Sequence, residues 1–424
     1  MKKLNRNNQK NHLPVFLSTG SNKAGENMYA PFLPFFAATF LNINPAQYGF
    51  IEGMTTVIYR VLSRRFSVGL NQFGAKITLT AGYLLICLSR LGLSIVFNWP
   101  VLFLFRSLKQ TGQVVADHSF QSAASADASD HTTKIFKIAA FTGMAAGPFL
   151  GLFFLSLGGY HDNAGGLAES SFRWLFMWAA LPSLLGAWII RLFSKEVKKE
   201  PVTDVITPVH SFPNRITGEF LKNNLKSLFF NKPVFYLILS YFSLSLAAVP
   251  LPMILFYVYQ EIGLGLNEGL IIFMAYLLTY SVGLLYPAGF ITNRLGSSLS
   301  HLVAGLLCAG AFFLLLRAKS SFLLIIAMIL YGLFASIWEL LRRTTQVNLT
   351  ELSSGRPDQT GPEQEFGTSF SIFCGLAGFL SPVLLGVCWE MFSARFAFII
   401  AVIFCVISII ILNYAQRVWP DEKN

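Results

Sequence analysis

A chain of 424 residues with 54% hydrophobic and only 12% charged side chains cannot cover itself with a water-facing shell, because a soluble globular chain carries about 25% charged residues. Composition therefore points to an integral membrane protein and away from a soluble enzyme or binding domain. The formal net charge is +11, but the basic residues lie in short loops and form no dense patch interleaved with aromatics, so nucleic-acid binding is not expected.

The chain opens Met-Lys-Lys-Leu-Asn-Arg and runs into a long apolar segment with polar interruptions. It shows no short apolar region ending in a small-residue cleavage site, so the first helix is expected to act as the insertion signal. Taken in order, the residues predict twelve transmembrane helices, at 13–41, 46–66, 77–97, 99–124, 135–158, 172–193, 233–258, 267–291, 299–316, 321–343, 366–388 and 394–414. Each approaches the ~20 largely apolar residues that cross a bilayer. The first and fourth are long and broken by polar groups. The expected organisation is all-α: an N-tail (1–12), a six-helix bundle (13–194), a polar linker (195–231), a second six-helix bundle (232–415) and a C-tail (416–424). In the linker, Ile216, Phe220, Leu221, Leu225 and Leu228 recur at near-helical spacing among Lys and Asn, which predicts an amphipathic surface helix.

Loop charge alternates. Lys2, Lys3, Arg6 and Lys10 precede the first span, Arg64, Arg65 and Lys76 flank the second loop, and the linker holds Lys195, Lys198, Lys199, Arg215, Lys222 and Lys226. Arg342, Arg343 and Arg356 mark the tenth–eleventh loop, whereas 42–47, 159–171 and 260–268 hold no Lys or Arg. The basic side is expected to be cytoplasmic, with both termini inside; Arg317, Lys319 and Arg395 fall on the other side without reversing the pattern. The five cysteines sit in apolar runs with no ligand-like spacing, so neither a disulfide nor a metal site is expected. The sequence "NLT" at 348–350 falls on the inner side, where no glycan is expected.

The two halves repeat each other. "SVGLNQFGAK" (67–76) and "PAGFITNRLG" (287–296) each put an Asn and then a Gly after an apolar run, with Asn71 and Asn293 about half a chain apart. Gly69, Gly74, Gly289 and Gly296 permit a tight turn and close helix approach, and Arg294 follows the second Asn. A second echo joins "GMAAGPFLG" (Gly143, Gly147, Pro148, Gly151) to "GLAGFLSPVLLG" (375–386, with Gly378 and Pro382). Small residues at such spacing let helices touch, and proline bends them. Two parallel six-helix halves imply a substrate site at mid-membrane and a rocking motion.

On these motifs the sequence resembles the major facilitator superfamily, over about 13–415. "GLNQFGAK" is similar to that family's G-x-L-A-D-R-x-G-R-K loop, with Asn71 in the Asp place, Gln72 in the first Arg place and Ala75 in the second. "PAGFITNRLG" resembles its second-half copy, with Asn293 again replacing Asp and Arg294 retained. "GMAAGPFLG" resembles the G-x-x-x-G-P-x-x-G motif associated with antiporters. "FRSLKQTG" resembles a fourth-helix pattern of one bacterial subgroup through Arg106 and Gly112, with Lys109 and Gln110 in place of its acidic and basic pair; "FRWLF" (172–176) and "YGLF" (331–334) read like the same subgroup. The resemblance implies twelve helices in two pseudo-symmetric bundles, with the first, fourth, seventh and tenth spans lining a cavity. The uncharged Asn pair implies an inner latch without its usual charged contacts, though Asn still caps a helix end.

Ionisable groups inside spans are functional candidates because burying them unpaired is costly. Lys23, Arg90, Arg106, Lys109, Tyr29 and Tyr241 are the candidate solute-binding residues, and Glu26, Asp117, His118 and Glu339 the candidate proton-coupling residues. Structural readings stand beside these. Lys23 and Glu26, three apart, make a plausible ion pair; Arg342 and Arg343 serve as interface anchors; Arg60 snorkels; Asp117 and His118 cap polar contacts; Arg90 pairs with an acidic neighbour such as Glu52 as readily as with a solute.

The buried inventory is more basic than acidic, which points to an anionic, carboxylate-type solute, since Arg grips carboxylates with a bidentate fork. The expected activity is secondary transport across the cytoplasmic membrane, coupled to protons or another ion, by a monomer that needs no cofactor. No G-x-x-x-x-G-K-[ST] loop occurs, so ATP is not the expected energy source. The alternatives are drug or metabolite efflux, uptake of a polycarboxylate iron chelator, and a receptor or sensor that binds without flux. A membrane enzyme is disfavoured, because His118 and His161 have no ligand-spaced partners.

Overall fold

The computed structural model describes residues 6–69, 74–125, 130–157, 169–193, 231–285, 287–354 and 365–418. These form fourteen helices: α1 (Arg6–Tyr29), α2 (Leu33–Thr39), α3 (Pro45–Gly69), α4 (Ala75–Leu93), α5 (Trp99–Ser125), α6 (Asp130–Leu157), α7 (Glu169–Phe193), α8 (Lys232–Ala247), α9 (Leu251–Gln260), α10 (Leu266–Leu285), α11 (Pro287–Arg317), α12 (Ser321–Ser354), α13 (Glu365–Met391) and α14 (Ala394–Val418). The linker and its expected amphipathic helix lie outside the described residues, as do Asn71 and Gln72.

Two expected spans are split by proline. α1 stops at Tyr29 because Pro31 has no N–H to donate and its ring obstructs the preceding turn, and the chain restarts as α2 with Pro34 in its first turn. α8 stops at Ala247 ahead of Pro250 and Pro252, and α9 continues from Leu251. Some of the other helix starts are capped by side chains. Asn44 Oδ1 accepts from Gln47 N at 2.8 Å and Gln47 Oε1 accepts from Asn44 N at 3.2 Å, a reciprocal box that opens α3. Asn98 Oδ1 accepts from Val101 N at 3.1 Å at the start of α5.

Among the described residues, nine segments are long and apolar enough to cross a membrane: α4, α6, α7, α8 with α9, α10, α11, α12, α13 and α14. The other three expected spans, α1–α2, α3 and α5, are diluted by charge at Lys23, Glu26, Glu52, Arg60, Arg106, Lys109 and Asp117.

The chain divides into two compact units, 1–205 with 255–270, and 206–254 with 271–424. The first takes in a stretch that the sequence places in the second bundle. Aromatic packing holds it there: Phe256 stacks on Tyr48 at 4.7 Å, Tyr259 meets the edge of Phe35 at 5.2 Å, and the Tyr259 hydroxyl donates to Pro31 O at 3.0 Å. Each unit repeats one packing plan. In the first, α1 packs on α6 and α7, and α4 on α5 and α7. In the second, α8 packs on α13 and α14, and α11 on α12 and α14.

The repeated glycine hinge has a backbone form. Gly74 (φ 77°) precedes α4 and Gly296 (φ 72°) kinks α11, in the left-handed region that a side chain disfavours. They are separated by the same interval as Asn71 and Asn293. The second hinge differs from the expected loop between spans at 267–291 and 299–316. Its residues are helical from Pro287, and Ser300 Oγ bonds Gly296 O at 2.6 Å and Ile291 O at 3.2 Å across the kink. Arg294 lies over the Phe290 ring at 4.6 Å. Gly69 is the last residue of α3.

Small residues set the α1–α6 contact. A methyl at Gly147 would stand 2.5 Å from Ala24 O, and one at Gly143 or Gly151 would overlap Gly20 O or Met28 O. Pro148 and Pro382 are buried inside α6 and α13, and Gly378 lies one turn before Pro382.

Candidate functional site

Three helices of the first unit bring polar side chains together at two levels. On α1, Lys23, Glu26 and Tyr29 recur at intervals of three and share a face. Arg106 and Lys109 do the same on α5, and Tyr48 and Glu52, four apart, on α3. At one level Glu26 accepts from two ammonium groups, Lys109 Nζ at 2.6 Å on Oε1 and Lys23 Nζ at 2.8 Å on Oε2. One carboxylate thus stands between two cations, and Asp117 on α5 lies within electrostatic reach of Lys23. The Lys23 side chain is 25% exposed, Glu26 19% and Lys109 9%, so the cluster is open at its Lys23 end.

At the other level Arg106 Nη2 donates to Glu52 Oε1, and both side chains are buried. This pair is neutral overall. Tyr48 lies within electrostatic reach of Glu52, Arg106 and Tyr29. The Tyr48 hydroxyl and Arg106 Nε are buried without a hydrogen-bond partner among the described residues.

Arg90 on α4 is 1% exposed, and its guanidinium lies over the Tyr29 ring at 5.8 Å. Its Nη1 donates to Ser183 Oγ and, at 3.1 Å, to Ala179 O on α7; its Nη2 donates to Asn22 O at 3.1 Å and Asn22 Oδ1 at 3.2 Å on α1. Ser183 Oγ donates to Asn22 Oδ1 at 2.8 Å and closes the network. Of the two readings of Arg90, the pairing with Glu52 is therefore not the one found. α3 packs on α5 and gives Glu52 to Arg106, whereas α4 packs on α7 and offers Arg90 only neutral oxygens. Gly25 makes the approach possible, since any methyl there would overlap Arg90 Nη1.

Asp117 Oδ2 accepts from the Tyr59 hydroxyl at 2.8 Å. The His118 side chain lies outside the described residues. In the second unit Glu339 bonds along its own helix, to Arg342 Nη2 at 3.1 Å and Arg343 Nε at 2.7 Å. Tyr241 is buried against the rings of His301, Trp338 and Phe370, and its hydroxyl bonds Thr345 Oγ1 at 2.7 Å.

The profile of the Major Facilitator Superfamily matches residues 15–355. The chain belongs to that superfamily. Solved structures of the superfamily share its fold over nearly the whole length. They include the nucleoside transporter NupG (13% identity, TM-score 0.68, covering 96% of this chain and 98% of that one) and a bacterial homologue of the human lysosomal transporter Spinster (13%, 0.68, 96% and 96%). The human organic anion transporter MFSD10 is also similar (16%, 0.60, 95% and 99%). No curated protein matches the sequence. This superfamily member is thus a multi-pass membrane protein with a transporter's architecture, and small-molecule transport, not enzymatic turnover, is the activity that goes with it.

The sequence singled out Lys23, Glu26, Arg106 and Lys109, and the structure brings them into one region. It places Tyr241 and Glu339 in the other unit and seals Arg90 among helices. Tyr48, Tyr59, Asn22 and Ser183 were missed. Glu52 was visible as an ionisable group within a span, whereas Tyr48 announces itself only as its polar partner four residues earlier on one face of α3.

Proposed function

We propose that this protein is a secondary transporter of a small polar anion, carboxylate in type, across the cytoplasmic membrane by alternating access, coupled to protons. The proposed topology is twelve membrane crossings with both termini cytoplasmic, in a monomer. The observation that carries the reading is Glu26 shared between Lys23 and Lys109. Ammonium groups bind carboxylates through charge-assisted hydrogen bonds, and here a resident carboxylate holds the place that an incoming one would take.

The same geometry supplies coupling. While Glu26 is ionised it competes with the solute for both lysines. A proton on Glu26 removes that competitor and leaves two cations for the solute anion. Proton and anion then bind cooperatively, so solute affinity rises as pH falls, and the two travel together as each gate state is occupied in turn. Arg106, neutralised by Glu52, supports the cluster from the next turn of α5 and adds no net charge.

The reading is tested by solute uptake into proteoliposomes. Anionic solutes are expected to be taken up over neutral analogues, and Lys109→Ala is expected to weaken anion binding roughly 10- to 100-fold, the range of one charged hydrogen bond. Equal uptake of charged and neutral analogues, unaffected by Lys109→Ala or Arg106→Ala, would refute it.

A further inference from the structure

We propose that the Arg106–Glu52–Tyr48 level is a second recognition point that takes a neutral oxygen of the solute, which makes the solute a hydroxylated or keto carboxylate, not a plain one. This rests on the anion-transport reading of the Lys23–Glu26–Lys109 cluster. Arg106 and Lys109 are three apart on α5, and Glu26 and Tyr29 three apart on α1. The two levels are therefore about one helical turn apart, roughly 5 Å along the axis. That is the span of a short carbon chain carrying a carboxylate at one end and an oxygen function at the other.

The chemistry of the second level selects the oxygen. Arg106 Nε is a donor only, the Tyr48 hydroxyl is a donor or acceptor, and both are buried and unbonded among the described residues. Buried groups of this kind normally hold a partner. Phe256 stacks on the Tyr48 ring at 4.7 Å and holds that ring in place. A second carboxylate is a poor fit, because Glu52 already spends its charge on Arg106 and would repel it. A hydroxyl or carbonyl oxygen accepts from both donors without adding charge. Sites built to hydrogen-bond a solute hydroxyl reject the analogue that lacks it far more strongly than apolar pockets reject a missing methylene.

The test is direct binding to the purified full-length protein, by thermal shift and calorimetry, with matched pairs: 3-hydroxybutyrate against butyrate, malate against succinate, and citrate against tricarballylate. The expected result is that at least one hydroxylated member binds ten-fold or more tighter than its deoxy partner, and that Tyr48→Phe reduces this ratio to about one. Unfolding of ligand-free Tyr48→Phe reports whether the variant is folded, and Glu52→Gln provides a second variant at the same level. Pairs that bind equally in the wild type overturn the inference while leaving the anion reading intact, as does a hydroxyl preference that persists in folded Tyr48→Phe. If no carboxylate binds, the underlying reading fails first.

Discussion

The buried charges of the first unit divide by their partners. Arg90 has four neutral oxygens on two helices and about one-hundredth of its surface exposed, so it acts as a tie between α1, α4 and α7. Lysine cannot replace its planar fork. Arg90→Lys is expected to cost about 2 kcal/mol through lost charged hydrogen bonds, which for a unit of this size is a drop of roughly 4–8 °C in unfolding temperature. Unchanged unfolding of Arg90→Lys in detergent would show that the network is not what joins the helices. The types of these residues were legible in the sequence, because an ionisable group inside an apolar run stands out. Their pairings were not. Lys23 and Glu26 could be matched along one helix, but Lys109 joins them from α5, eighty-three positions away, and the choice of Glu52 for Arg106 instead of Arg90 follows from helix packing that spacing does not encode.

The helices themselves were largely readable from apolar length and proline, and most ends fall within a few residues of the expected positions. Proline breaks at Pro31 and Pro250 were visible as residues, yet their result, two helices per crossing, depends on which turn each proline interrupts. The Gly143–Gly147–Gly151 stripe was also legible, and its partner is the backbone of α1 at Gly20, Ala24 and Met28. Gly143→Ala is expected to push α1 and α6 apart and lower the unfolding temperature by several degrees, in the range of about 1–3 kcal/mol for overpacking. By contrast a methyl at Gly289 meets nothing within 4 Å, and Gly289→Ala is expected to leave stability unchanged or raise it slightly, as alanine favours helix. Equal effects of the two substitutions would contradict the close-packing account.

For the whole molecule, the repeat was the most informative signal. Gly74 and Gly296 adopt the same left-handed backbone at equivalent positions, and the two units use equivalent helix pairings. Among the described residues, nine segments are long and apolar enough to cross a membrane. The other three expected spans, α1–α2, α3 and α5, carry the clustered charges, so the candidate site and the weakest membrane signals coincide for one physical reason. The proposed topology predicts that, once the five native cysteines are replaced by Ser, Asn163→Cys is labelled by an impermeant thiol reagent on intact cells, and Ser211→Cys only after the membrane is opened. The reverse pattern would invert the orientation.

Proton movement evoked by solute bears most directly on the central claim. Purified protein in liposomes holding a trapped pH indicator, given an external di- or tricarboxylate that does not cross the bilayer unaided, is predicted to acidify the lumen, while empty liposomes and Glu26→Gln vesicles do not. Bound solute without any lumenal pH change, or acidification undiminished by Glu26→Gln, would contradict coupled transport through the Lys23–Glu26–Lys109 cluster.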